Sequence, residues 1–126
     1  MAGRTPEDDE VADFLRGRGW QDLPLDWLAR NHECMFFMTP EALRFYLPAF
    51  LLPSILDCGN AGDIPGSLLF LFETPSDPVR QSWFAERFGP LTARQRQAIK
   101  AFIEYVRDEH KETWHYEASV VLRSWT

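Results

Sequence analysis

Cysteine is scarce in this 126-residue chain, and its two copies, Cys34 and Cys58, stand far outside C-x-x-C spacing. That excludes a zinc knuckle, a dithiol redox pair and a disulfide-stapled scaffold. Long apolar runs are lacking too. The longest, Phe45 to Leu56, contains Pro48 and Pro53 and falls well short of the roughly 20 residues that cross a bilayer. The acidic N-terminus has no signal-peptide pattern, so the expected location is the cytoplasm, with both thiols reduced. Stretches that alternate apolar and polar residues are also missing, which leaves little basis for a sheet. No G-x-S-x-G, P-loop or dinucleotide fingerprint occurs, and Gly59-x-x-Gly62 is too short a pattern to serve as one.

Basic residues are few in the first half. Residues 1–63 carry 11 acids against 5 bases, whereas residues 64–126 carry eight of each, giving the net charge of −6. Such a field repels nucleic acid and anionic membrane and favours a basic protein partner. The same imbalance also suits a merely solubilising end. Apolar residues make up 45% of the chain, with ten phenylalanines against three tyrosines, so it folds around ring-rich packing rather than staying disordered. Its length fits one domain over residues 1–126.

The strongest local signal is Thr39-Pro40-Glu41: a hydroxyl for a free backbone N–H, a residue with no donor to orphan, and an acid at the positive helix end. The helix that follows is apolar to Leu52 except for Arg44 and Pro48, which implies neighbours on most sides. Pro48 and Pro53 each remove a ladder donor, so the helix should bend or break twice. Thr5-Pro6-Glu7-Asp8 repeats the start signal for a first helix, stopped by Gly17 and Gly19. Asp22 reads as the cap of a second helix with Pro24 in its first turn. The run Cys34 to Met38 either extends that helix or forms a short strand. Residues 57–66 read as loop, and Pro75 and Pro78 introduce a helix ended by Gly89-Pro90 that packs under the last long one.

Thr92-Ala93-Arg94-Gln95 is a capping box opening the best-patterned helix, with Ile99, Phe102, Ile103 and Val106 inward and Arg96 on the outer face. The segment from Trp114 to Trp125 reads as a last helix. The predicted fold is a mainly α, compact helical bundle of about five or six helices around a proline-kinked helix. A two-stranded ribbon from residues 67–72 and the C-terminus is left open.

The helix Thr39-Pro40-Glu41-Ala42-Leu43-Arg44-Phe45-Tyr46-Leu47-Pro48-Ala49-Phe50, followed by Leu91-Thr92-Ala93-Arg94-Gln95-Arg96-Gln97-Ala98-Ile99-Lys100-Ala101-Phe102, resembles a family of small bacterial proteins of unassigned activity. The match covers about residues 35 to 106. Some look-alikes are candidate immunity proteins, small cytoplasmic neutralisers of bacterial toxins, and the resemblance implies a protein-binding role of that kind.

Catalytic constellations are weak. His110 and His115 lie five apart, which on a helix sets their imidazoles on different faces and argues against zinc, leaving a solvated helix end. His32 beside Cys34 lacks a glycine-rich turn to supply oxyanion donors, so a buried structural cysteine is expected. No metal or cofactor is expected. Arg44 is the lone charge in the apolar helix. It either pairs with a carboxylate from another helix or bonds exposed carbonyls, or it forms an anion or substrate-carboxylate pocket that Tyr46 near it could line. Two functional readings stand above an enzyme. In the first, a toxin neutraliser binds a basic partner, with Glu7, Asp8, Asp9, Glu10 and Asp13 steering association and exposed Trp20 and Trp27 as anchors, unless both rings are core. In the second, a small-molecule domain uses a pocket around the kinked helix, residues 39–57.

Overall fold

Thr39 starts the central helix by the chemistry its sequence carries: its Oγ1 accepts from the Ala42 N–H at 3.2 Å, and Pro40 occupies the first turn. The structure is a computed structural model that describes the backbone of residues 6–125 and the side chains of these residues except 6–9 and 111. In chain order it contains α1 (Pro6–Leu15), a 3₁₀ turn (Trp20–Asp22), α2 (Leu25–Arg30), a second 3₁₀ turn (His32–Phe36), α3 (Pro40–Leu56), a third 3₁₀ turn (Cys58–Asn60), α4 (Ile64–Phe72), α5 (Pro78–Phe88), α6 (Ala93–Glu109) and α7 (Lys111–Leu122). The architecture is all-α, and the described residues form no strand, so residues 67–72 lie inside α4 and make no ribbon.

Of the two alternatives, bending or breaking, the break does not occur: the helix is continuous through Pro48 and Pro53 to Leu56. An interior proline costs about 3 kcal/mol. Against this, α3 buries Leu43, Leu47, Ala49 and Phe50 while packing on α2, α4, α5 and α6. Each buried large side chain contributes roughly 1.5–3 kcal/mol, so packing outweighs the missing ladder bonds.

Four other expectations change. Asp22 does not cap α2: its carboxylate accepts from the Gly19 N–H at 3.3 Å and closes the first 3₁₀ turn. Cys34 to Met38 is neither strand nor helical extension, because Asn31 ends α2 and its carbonyl accepts from the Cys34 N–H, opening the second 3₁₀ turn. The loop after α3 is shorter than residues 57–66, since α4 already begins at Ile64 with Pro65 in its first turn. Finally, α5 packs chiefly on α3 rather than under α6.

The capping box is as read: Thr92 Oγ1 accepts from the Gln95 N–H at 3.1 Å and Gln95 Oε1 accepts from the Thr92 N–H at 2.9 Å. The inward stripe Ile99, Phe102, Ile103 and Val106 is buried throughout. Gly17 stops α1 at φ +76°, a conformation only glycine adopts freely. The Thr5 start signal lies outside the described residues. Phe72 is the hub of the core: its ring sits edge-on at 5.6 Å from Phe88, 6.3 Å from Phe102 and 5.5 Å from Trp125. Trp125 also donates its indole N–H to the Phe72 carbonyl at 2.9 Å.

Two arginines, Arg44 and Arg96, serve the end of α5, where helix geometry leaves carbonyls without ladder donors and the dipole favours a cation. Arg44 Nη1 donates to the carbonyls of Glu86 at 3.0 Å and Arg87 at 2.9 Å. Arg96 Nη1 donates to Phe88 O at 2.9 Å and its guanidinium lies 5.2 Å from the Trp125 ring. Arg87 turns inward, donating to Met38 O at 3.1 Å and to Trp83 O at 3.3 Å. Arg96 is therefore not an idle outer-face residue. Arg96→Ala should cost about 1 kcal/mol in a denaturant melt, the usual worth of such a bond, rather than the 0.5 kcal/mol or so of a bare surface site.

Candidate functional site

Aromatic side chains that helical patterning alone would bury come to the surface along one face. They belong to the 3₁₀ turn His32–Phe36 with the adjoining Phe37, to α4 and to the start of α7. Phe36 and Phe70 meet at 5.6 Å and 64°, while Phe37 and Phe70 are 56% and 55% exposed. Trp114 has non-helical backbone angles (φ −127°, ψ 16°) one turn into α7. Its indole approaches Gly66 so closely that a Cβ there would stand 3.3 Å from Nε1. Glycine is what permits this approach.

The rings divide the face into two open grooves. One, of about 490 Å³, is bordered by Phe36, Phe37, Phe70 and Trp114 with Glu33 and Asp63. The other, about 330 Å³, shares Phe70 and Trp114 and adds Tyr116, Glu73 and Glu117. All four carboxylates are exposed, and no basic side chain lines either groove among the described residues. Clustered exposed rings with a polar rim are the anatomy of an interaction site.

The residues singled out from sequence fall elsewhere. Trp27 is 9% exposed and stacks on Phe14 at 4.4 Å, so it is core and not an exposed anchor; Trp20 is half-buried against the same core. Glu10 and Asp13 are exposed on α1, with Asp13 3.1 Å from Arg16, and the side chains of Glu7, Asp8 and Asp9 lie outside the described residues. Arg44 and Tyr46 do not converge, because a two-residue step on a helix turns them apart. Arg44 faces α5, whereas the Tyr46 hydroxyl lies 3.2 Å from Leu15 O and 3.1 Å from Arg18 O and ties the end of α1 to α3. Tyr46 also lines a cleft of about 830 Å³ with Leu15, Met38, Ala42, Arg16 and Arg30.

The surface rings escaped the sequence reading. Their only trace was that Met35-Phe36-Phe37 and Leu68 to Phe72 carry more apolar residues than one buried stripe can hold.

His32 Nδ1 hydrogen-bonds to Ser67 Oγ, joining the second 3₁₀ turn to α4. A serine nucleophile needs an oriented base, and among the described residues no carboxylate bonds the other ring nitrogen. His110 is not a solvated end: it is half-buried between the rings of Tyr105 and Trp114, with Nε2 unbonded. The described residues contain no cluster of three metal-ligating side chains. Nor do they include a helix long and apolar enough to cross a membrane.

Burial pushes the Cys34 thiol up to about 12, while Cys58 is exposed, and both are free. At pH 8 iodoacetamide should therefore label Cys58 alone in the native protein and both thiols in denaturant, as counted by intact mass. Because the folded value is the raised one, the stability from keeping Cys34 protonated is complete below about pH 9 and erodes as pH climbs toward 12. Native labelling of two thiols at pH 8 would mean that Cys34 is open to solvent.

The sequence profile of a family of unknown function, DUF6714, matches residues 2–126. The chain belongs to the DUF6714 family. No curated protein and no solved structure matches it. The family match spans every residue of the ring face and assigns it no chemistry.

Proposed function

We propose that the protein is a protein-binding module of the immunity type, which neutralises a basic bacterial toxin domain by direct contact and performs no chemistry of its own. The observation carrying this reading is the exposed ring face bordered by Glu33, Asp63, Glu73 and Glu117, with no base among the described residues lining its grooves. Desolvated aromatic side chains supply most of the holding energy in an interface, and surrounding charge selects the partner and speeds encounter. Phe37, Phe70 and Tyr116 take the anchor role expected of Trp20 and Trp27. Glu7, Asp8, Asp9, Glu10 and Asp13 add long-range steering in a cytoplasmic encounter.

Co-expression with the product of the neighbouring reading frame, then surface plasmon resonance, provides the test. Replacing Phe37 and Phe70 together by alanine should weaken binding by roughly 1,000-fold, two hot-spot truncations of about 2 kcal/mol each. Leu56→Ser, at another exposed apolar position, should not. Neutralising the five α1 acids should slow association and flatten its salt dependence without changing dissociation. Full affinity in the double variant would remove the ring face from the interface.

The cleft beside Tyr46 favours a second reading, a small-molecule domain, since its volume is within the range of ligand pockets. Concentration-dependent stabilisation in a thermal-shift screen, abolished by Ala42→Phe, would support it.

A further inference from the structure

We infer that the groove between the second 3₁₀ turn, α4 and the start of α7 is a cage for one guanidinium group, an arginine side chain of the partner. It rests on the protein-binding reading and assigns a chemistry to one part of that face. Phe36, Phe37, Phe70 and Trp114 line the groove, and the face of an aromatic ring attracts a cation, tryptophan's most strongly. Phe36 and Phe70 stand at 64°, forming a corner rather than a flat wall. The absence of a Cβ at Gly66 lets the Trp114 indole close against α4. Glu33 and Asp63 border the same groove and bring two carboxylates to it.

Elsewhere three aromatic rings lie under the molecule's own arginines. Arg18 lies 4.2 Å over Phe14, Arg87 4.2 Å over Trp83, and Arg96 5.2 Å over Trp125. Even Phe70 has Arg80 at 5.7 Å, although Arg80 does not line the groove. Among the described residues the groove has the rings and the carboxylates but no cation lining it. A planar guanidinium fits that vacancy better than an ammonium, because it stacks on a ring while directing N–H groups in its plane toward separate acceptors. The groove is open, as entry of a side chain from another protein requires.

Binding is tested with Nα-acetyl-argininamide, its uncharged isostere Nα-acetyl-citrullinamide, and choline. Each is titrated into the full chain while the Trp114 indole N–H is followed by NMR, that signal being assigned by its loss in Trp114→Phe. The arginine ligand should shift the signal, and citrulline at equal concentration should not. Phe70→Leu, which keeps an apolar side chain without the ring, should weaken the response roughly three- to five-fold, as loss of one exposed cation–π contact predicts. Glu33→Gln with Asp63→Asn should weaken it further. An equal response to citrulline, or tighter binding of choline, overturns the guanidinium assignment. A toxin partner that binds the Glu33→Gln, Asp63→Asn protein with undiminished affinity overturns the cage and leaves the protein-binding reading standing. A cage that takes arginine in a protein with no partner does the reverse.

Discussion

Phe72→Ala should cost about 3–5 kcal/mol, the usual loss for a buried ring, whereas Phe70→Ala should cost about 1 kcal/mol or less, although only Leu71 separates the two positions on α4. Phe72 is fully buried and in edge contact with Phe88, Phe102 and Trp125, so its removal opens a cavity that three other rings must line. Its carbonyl also receives the Trp125 indole N–H, and collapse into the cavity would strain that bond. Phe70 is more than half exposed and loses only its contacts with Phe36 and Arg80. Urea midpoints at a constant m-value are the measurement. Similar losses at both positions would reverse the assignment of α4's inner and outer faces, and with it the ring face.

The second large effect is at Arg87. Burial pulls its guanidinium below its ordinary value, an effect opposed by the carboxylates of Glu86 and Glu41, and the group stays charged at neutral pH. Only 9% of the residue is exposed, its Nε has no bond, and its guanidinium stacks 4.2 Å from the Trp83 ring. Arg87→Ala strips a donor from Met38 O, where the bond is buried, and exposes the flank of Trp83. An orphaned buried carbonyl costs roughly 1–3 kcal/mol and the lost stem packing adds to it, for about 2–4 kcal/mol in all. Arg87→Lys should recover under half of this, since an ammonium cannot stack on Trp83 while bonding Met38 and Trp83. Thermal melts read both variants. A lysine variant as stable as the parent would show that charge alone matters there.

What could be read from sequence depended on how far away each cause lies. Thr39 and Thr92 were legible because a cap is satisfied within three residues. The stripe from Ile99 to Val106 was legible because α6 has one wet face. At Pro48 and Pro53 the local rule allowed a bend or a break, and the packing of four other helices, invisible to that rule, decides against the break. Arg44's bonding to exposed carbonyls was among the alternatives, yet its acceptors, Glu86 and Arg87, are 42 and 43 residues distant and belong to another helix. The candidate site was the least legible. In apolar runs such as Cys34 to Met38 and Leu68 to Phe72, composition says that rings exist but not which of them the neighbours leave uncovered, so Trp27 was offered as surface while Phe37 and Phe70 were not.

The unbroken course of α3 has a consequence for how the molecule opens. With Pro48 and Pro53 in place, the carbonyls of Arg44 and Ala49 have no ladder donor, so the helix held on its own in water would be poorly populated. Its shape is conferred by α2, α4, α5 and α6 together. No partial unfolding can then release those helices and keep α3 intact. Amide exchange along the buried side of α3 should require the global transition, and the chain should come apart as a single cooperative unit instead of peeling from one end.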